Sequence, residues 1–260
     1  MTADPSLVVV GRPGDPRVRA LAAVADRSGR PYVVHAPDSA AGAAVMAGAD
    51  PVALAAGADG DPQPVVVVTE GVVLLDPIEL DLVEALGFPR APAHTECEIA
   101  IVGAGPAGLA AAIGVASAGR RTVVVDPQLP GGSLDRSARV GDYLGFPEGI
   151  TAAELIDRAV AQARAAGVGF LLTERVEEIL DHGDGRLLVL TSGATVRARA
   201  VVLATGRRPR PSVELSLPGV LAAEHPVSTT ADPAVAVAVG AGAAAARRAL
   251  DYLTAAVSTD

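Results

Sequence analysis

The stretch Ile99-Ala100-Ile101-Val102-Gly103-Ala104-Gly105-Pro106-Ala107-Gly108-Leu109 decides how this chain is read. Glu98 to Val102 is rich in β-branched residues and predicts a strand, and Leu109 to Ala118 predicts a helix. Between them three glycines form a Gly-x-Gly-x-x-Gly turn, and the next strand, Thr122-Val123-Val124-Val125-Asp126, ends on an acid. Each residue type answers a physical need. Gly103 permits the tight turn, Gly105 lets backbone approach a pyrophosphate, and Gly108 lets helix and strand pack closely. The pyrophosphate then meets the free N–H groups at the helix start, around Pro106 and Ala107. A carboxylate at Asp126 accepts hydrogen bonds from an adenosine ribose and disfavours a 2′-phosphate, so the site suits FAD or NAD rather than NADP. The glycine spacing alone is weak evidence; the strand before it, the helix after it and the acid carry the reading. The competing reading is a βαβ unit with glycines for packing only.

Composition narrows the chemistry. The chain has 260 residues, a formal net charge of −9, 50% hydrophobic residues and only 2% aromatic ones. Its core must therefore be filled by Val, Leu, Ile and Ala. All 21 basic residues are Arg. Without Lys there is no Schiff-base catalysis and no P-loop lysine, although an Arg-only, Asn-free chain also fits a strongly GC-biased coding sequence. The single Cys97 excludes an intramolecular disulfide and a Cys-x-x-Cys redox pair. Residues 1–96 carry a net −7 and residues 97–260 a net −2, so the basic stripe that nucleic acid requires is missing. Ile99 to Gly119 is uncharged and long enough for a membrane span, but its glycines and proline read better as strand, turn and helix. The acidic opening Met1-Thr2-Ala3-Asp4 is unlike a signal peptide. The expectation is a soluble, cytoplasmic protein with no nucleic-acid or membrane partner.

Two patterned regions flank a Pro-rich stretch, Pro89 to Thr95. The first predicts strands at Leu7–Val10, Tyr32–His35, Pro64–Val68 and Val72–Leu75. Helices are expected over Asp15 to Ala25, with Ser28-Gly29 as the stop, and over Ser39 to Met46 and Ile78 to Leu86. The order β-α-β-(α)-β-β-α resembles a thioredoxin- or glutaredoxin-like fold, with Pro64 where such folds keep a cis-proline. Where that family places its redox cysteines, this chain reads Gly11 to Pro16, which implies that the dithiol chemistry is gone. A generic small α/β domain is the alternative.

In the second region Thr151 to Ala166 predicts a helix with a Thr151–Glu154 capping box. Short strands follow at Val168–Leu172, Val176–Leu180, Arg186–Leu190, Ala194–Ala198 and Val201–Ala204, with turns at His182–Gly185 and Ser192-Gly193. Ala234 to Ala256 carries a short strand and helix, or a helix directly. The expected division is residues 1–90, a linker at 91–97, and a domain at 98–260.

Val102 to Leu109, Pro130-Gly131-Gly132-Ser133, Asp142-Tyr143-Leu144-Gly145-Phe146-Pro147 and the closing Ala204-Thr205-Gly206 together resemble the FAD domain of low-molecular-weight thioredoxin reductases. These belong to the FAD-dependent pyridine nucleotide-disulfide oxidoreductases. The resemblance implies an α/β chain, an FAD-binding Rossmann-like domain of the two-dinucleotide-binding type preceded by a small thioredoxin-like domain. It implies FAD as cofactor and a homodimer. Carried over position by position, it implies FAD contacts from Gly103, Gly105, Pro106, Ala107, Gly108, Asp126, Gly131, Gly132, Ser133, Asp142, Ala204, Thr205, Gly206 and His225. The family inserts a whole NADPH domain after the Ala-Thr-Gly strand, and 54 residues follow Gly206 here. The tail aligns better with the returning FAD segment: Pro218-Gly219-Val220-Leu221-Ala222 stands on its strand and 236–253 on its closing helix. Gly240-Ala241-Gly242 is then only a superficial second fingerprint.

Three positions depart from the family pattern. Its Gly-Asp pair becomes Glu224-His225, the Gln after Gly-Gly becomes Ser133, and the Asn of Glu-Asn becomes Asp142. The adenosine half of the site is kept and the flavin half is altered. Two functions are compatible with this. One is an FAD-dependent oxidoreductase without its own NADPH domain, using a partner reductase or electron donor or acting on a small substrate. The other is a catalytically inactive relative serving as an interaction or assembly subunit. Cys97 reads as structural, since no His or Lys neighbours it to lower its pKa. His35, His94, His182 and His225 show no metal spacing. Arg207-Arg208-Pro209-Arg210 could meet phosphate but reads first as a solvated loop.

Overall fold

The computed structural model describes residues 6–48, 65–69, 71–90, 92, 94–141, 143–212, 217–223 and 232–257. The chain divides into two compact units, Met1–Pro89 and Arg90–Asp260.

The first unit comprises β1 (Leu7–Val10), α1 (Pro16–Ser28), β2 (Tyr32–His35), α2 (Ala40–Gly48), β3 (Val66–Thr69), β4 (Val72–Leu75) and α3 (Glu79–Ala85). Its sheet runs in the order β2-β1-β3-β4. Strands β1 and β2 are parallel, and β3 is antiparallel to both β1 and β4. Helix α1 starts where Asp15 accepts a hydrogen bond from the Arg17 N–H at 2.8 Å, with Pro16 in the first turn. It ends where Gly29 takes a left-handed conformation, at the Ser28-Gly29 stop that the sequence signals. Val18, Leu21, Val24 and Ala25 make its buried face, one turn apart. Pro64, the expected cis-proline position, lies outside the described residues.

The second unit comprises β5 (His94–Val102), α4 (Pro106–Ser117), β6 (Thr122–Asp126), β7 (Arg139–Val140), β8 (Ile150–Thr151), α5 (Ala152–Ala165), β9 (Gly169–Leu172), β10 (Val176–His182), β11 (Gly185–Leu190), β12 (Thr195–Leu203), β13 (Val220–Ala222) and α6 (Asp232–Val257). Its main sheet has the order β10-β11-β12-β5-β6-β9, with β13 also on β12. The segment β12-β5-β6-β9 is parallel, and β10, β11 and β12 form an antiparallel meander. This is a mixed α/β fold with a Rossmann-like sheet.

Three expectations need correction. Residues 94–97, assigned to a linker, are strand: His94 to Cys97 pair in parallel with Thr195 to Ala198. The two strands expected at 194–198 and 201–204 are one. Along one edge β12 pairs first with β11 and then, from Val201, with β13, so its neighbour changes while the strand continues. The glycine-rich loop after β6 contains the two-residue ladder β7–β8, which had no sequence signal.

Elsewhere local chemistry matches the elements. Thr151 Oγ1 accepts from Glu154 N–H at 3.2 Å, and the Glu154 carboxylate accepts from Thr151 N–H at 3.3 Å. Helix α6 includes Gly240 and Gly242, so these glycines make no phosphate turn. A Cβ on Gly242 would overlap the Ala107 carbonyl and lie 2.9 Å from the Ala107 Cα, so the glycine permits α6 to lie against the start of α4. Buried Arg186 donates to Asp181 Oδ1 at 2.7 Å and to the carbonyls of Gly185 and Pro218, tying the approach to β13 onto the meander.

Candidate functional site: the βα turn and its acid

The site is built where β5, β6 and β12 end together. Gly103 has φ +114°, and a Cβ there would overlap the Ala204 carbonyl oxygen. A Cβ on Gly108 would overlap the Gly103 carbonyl oxygen. Both glycines are thus required by close backbone approach. Gly105 is different: its backbone is extended, and a Cβ would sit 3.6 Å from the Gly132 Cα, an ordinary contact. Gly105 and Gly132 therefore face each other across the turn and keep that surface free of side chains. The first helical bond is Leu109 N–H to the Gly105 carbonyl at 2.9 Å. The N–H groups of Ala107 and Gly108 are left outside the helical ladder, at the positive end of the α4 dipole. No charged residue occurs in α4.

Short bonds lock the loops together. Ala204 N–H donates to the Val102 carbonyl at 2.8 Å, and Gly131 N–H to the Ala104 carbonyl at 2.9 Å. The residues Gly103, Gly105, Pro106, Ala107, Gly108, Gly131, Gly132, Ala204 and Thr205 thus converge on one turn, with Ser133 and Gly206 continuing their loops. Asp142 and His225, expected on the flavin side, lie outside the described residues, as does Glu224.

Asp126 departs from its expected state. Its Oδ2 accepts from Ala104 N–H at 2.7 Å, and its Oδ1 accepts from Gln128 N–H at 2.8 Å and from Arg208 Nη1 at 2.7 Å. Arg208 Nη2 also donates to Gln128 Oε1. The Asp126 side chain is 1% exposed and that of Arg208 30%. Burial pushes the Asp126 pKa above the usual carboxylate value, opposed by the Ala104 N–H, the Arg208 charge and the Gln128 N–H. The carboxylate is therefore not presented openly to a ribose. Arg208, read from sequence as belonging to a solvated loop, covers it. The ion pair spans 82 residues of chain, so no local pattern could reveal it; the only hint was an Arg just after Ala204-Thr205-Gly206.

Cys97 is buried in β5, and desolvation pushes its thiol pKa up to about 12. Among the described residues no group of three or more His, Cys, Asp or Glu could hold a metal ion. No described helix is long and apolar enough to cross a membrane.

A parallel sheet whose first βα turn presents a glycine cradle, a helix start and a downstream acid defines a dinucleotide-binding domain. The chain belongs to the pyridine nucleotide-disulphide oxidoreductase family, which matches residues 97–254. Thioredoxin-reductase-like members of that family bind FAD. The chain is 38% identical over 122 residues to a bifunctional thioredoxin reductase/thioredoxin of Mycobacterium leprae (strain TN), covering 47% of this chain and 26% of that one. It is 36% identical over 114 residues to a thioredoxin reductase of Peptoclostridium acidaminophilum, covering 44% and 35%. A solved thioredoxin reductase from Streptococcus pyogenes MGAS5005 aligns with a TM-score of 0.41 at 25% identity, over 45% of this chain and 37% of that one. The chain thus spans only about a quarter to a third of the length of these curated relatives.

Proposed function

We propose that residues 98–260 form a thioredoxin-reductase-like FAD-binding domain that closes on itself without an inserted NADPH domain. On this reading it works as an oxidoreductase with a partner electron donor or a small substrate. The observation that carries this is β13. It lies parallel on β12, and only residues 204–219 separate the two strands. The turn fits the adenosine diphosphate part of FAD: Gly105 and Gly132 keep a surface free of side chains, and the Ala107 and Gly108 N–H groups stand outside the helical ladder to receive a pyrophosphate. Gly103 and Gly108 hold that surface in shape. Bound FAD supplies two-electron hydride chemistry, and the protein supplies binding and orientation.

The sheet order β2-β1-β3-β4 supports a thioredoxin-like reading of the first unit. Its first helix follows Gly11–Asp15 rather than a cysteine pair. A homodimer through the FAD domain is the assembly the resemblance implies.

One observation favours the second reading, an inactive relative used as an interaction or assembly subunit: Arg208 covers the acid that would meet the ribose. The absorption spectrum of the purified chain, before and after incubation with FAD, separates the two. A flavin band that survives gel filtration and is bleached by an external reductant is the expected result. A colourless protein whose melting temperature FAD does not shift would sink the flavoprotein reading and leave the second.

A further inference from the structure

We propose that Arg208 determines specificity at the ribose end of this cleft, so that the site receives a 2′-phosphorylated adenosine nucleotide at least as well as one with a free 2′-hydroxyl. The inference rests on reading the turn as a dinucleotide site and deepens it.

An open carboxylate at the end of β6 would repel a 2′-phosphate, and such repulsion is how an acid there selects against it. In this chain the carboxylate is not open. Three donors occupy it, and a carboxylate offers about four acceptor positions. What reaches the surface at this point is Arg208, whose guanidinium spans Asp126 and Gln128 with part of its side chain exposed. Two of its N–H groups are used in those bonds. The planar fork carries five, a geometry suited to phosphate.

The described neighbours of the pair bring one acid, Glu174, and its carboxylate is bonded elsewhere. Helix α4 has none. The β5–α4 turn contributes the Ala104 N–H. Glu174, after β9, donates its backbone N–H to the Asp126 backbone carbonyl, while its carboxylate accepts from Thr191 Oγ1 at 2.9 Å and Ser192 N–H at 3.2 Å. Arg207, exposed on the Arg208 loop, adds positive charge. Asp126 and Arg208 therefore cancel locally, and the arginine is the outer partner.

The test compares ADP-ribose with ADP-ribose 2′-phosphate by calorimetry on the full chain at fixed salt, since the two ligands differ only in the phosphate. The native chain is expected to bind the phosphorylated ligand as tightly or more tightly. Arg208→Gln should shift the affinity ratio at least about tenfold toward the unphosphorylated ligand, while Arg208→Lys, which keeps the charge, stays within about threefold of the native ratio. A native preference of tenfold or more for plain ADP-ribose overturns the proposal, as does an unchanged ratio in a folded Arg208→Gln variant. The native ratio decides the matter even if that variant fails to fold. If ADP-ribose and FAD bind but the phosphorylated ligand is rejected, only this inference falls. If none of the three binds, the dinucleotide reading falls with it.

Discussion

Cys97 shows how position silences a nucleophile. Its register partner across the sheet is Ala198, and it is buried with Ala100, Val123 and Val196 in one apolar cluster. Desolvation penalises the thiolate most, and the Arg121 charge and the Val123 backbone only partly offset it, so the pKa rises from 9.0 to about 12. Thiolate is the reactive form. We expect the native protein to show no reaction with a thiol-specific disulfide reagent at neutral pH, and one equivalent of reaction in denaturant. The same shift has a signed effect on stability. Between pH 9.0 and about 12 the unfolded thiol gives up its proton while the folded one keeps it. Stability that is fully present below that window is therefore lost as pH rises through it. Cys97→Ala should unfold less steeply with alkaline pH than the native chain in denaturant titrations. Equal slopes, or a native thiol that reacts readily, would mean the side chain is not buried as described.

At the scale of elements, legibility tracked how local the causes were. Strands β1, β2, β4 and β6 could be read from short β-branched runs, and the start of α5 from its capping box. The glycine turn was legible because its three glycines, two of them at close backbone approaches, fall within six residues. Other features depend on partners distant in sequence. His94–Cys97 is extended because Thr195–Ala198 lies beside it, and the β7–β8 ladder is too short for any period to register. Gly242 belongs to the same class. In sequence it resembled part of a phosphate turn, yet its reason is the backbone of α4, which a methyl group would strike at Ala107. Backbone cannot step aside as a flexible side chain can, so the helices must separate or shift. Gly242→Ala is expected to destabilise the chain by about 1–3 kcal/mol, the usual range for overpacking, although alanine has the better helix propensity. Gly240→Ala, on the same helix with nothing near its added carbon, should be neutral or stabilising by less than about 1 kcal/mol. Urea unfolding of the two variants checks this, and equal effects would contradict the packing account.

For the whole molecule the consequential fact is where the site's parts come from. The glycine turn, Asp126, the Gly131-Gly132 loop, the Ala204–Gly206 segment and Arg208 all belong to the unit Arg90–Asp260. That unit has its own apolar core, from Ala100 and Val123 through Leu188 and Val201 to Val220. A domain with its own core and its own site residues can fold and bind alone. Residues 90–260 produced without the first unit should therefore remain monodisperse and unfold cooperatively. They should also bind ADP-ribose within about threefold of the full chain, since every described residue assigned to the site lies in this unit. The division must be made before His94, because β5 begins there, and its first residues hold the near end of β12 in place. A chain starting at Glu98, where the sequence alone would put the domain border, loses the His94–Cys97 pairing with Thr195–Ala198 and with it one side of the meander's last strand. That shorter chain is expected to be markedly less stable than the longer one, as read by thermal unfolding. If both were equally stable, the extension of β5 would add nothing to the fold. If the longer chain failed to bind a ligand that the full protein binds, the first unit would have to contribute to the site.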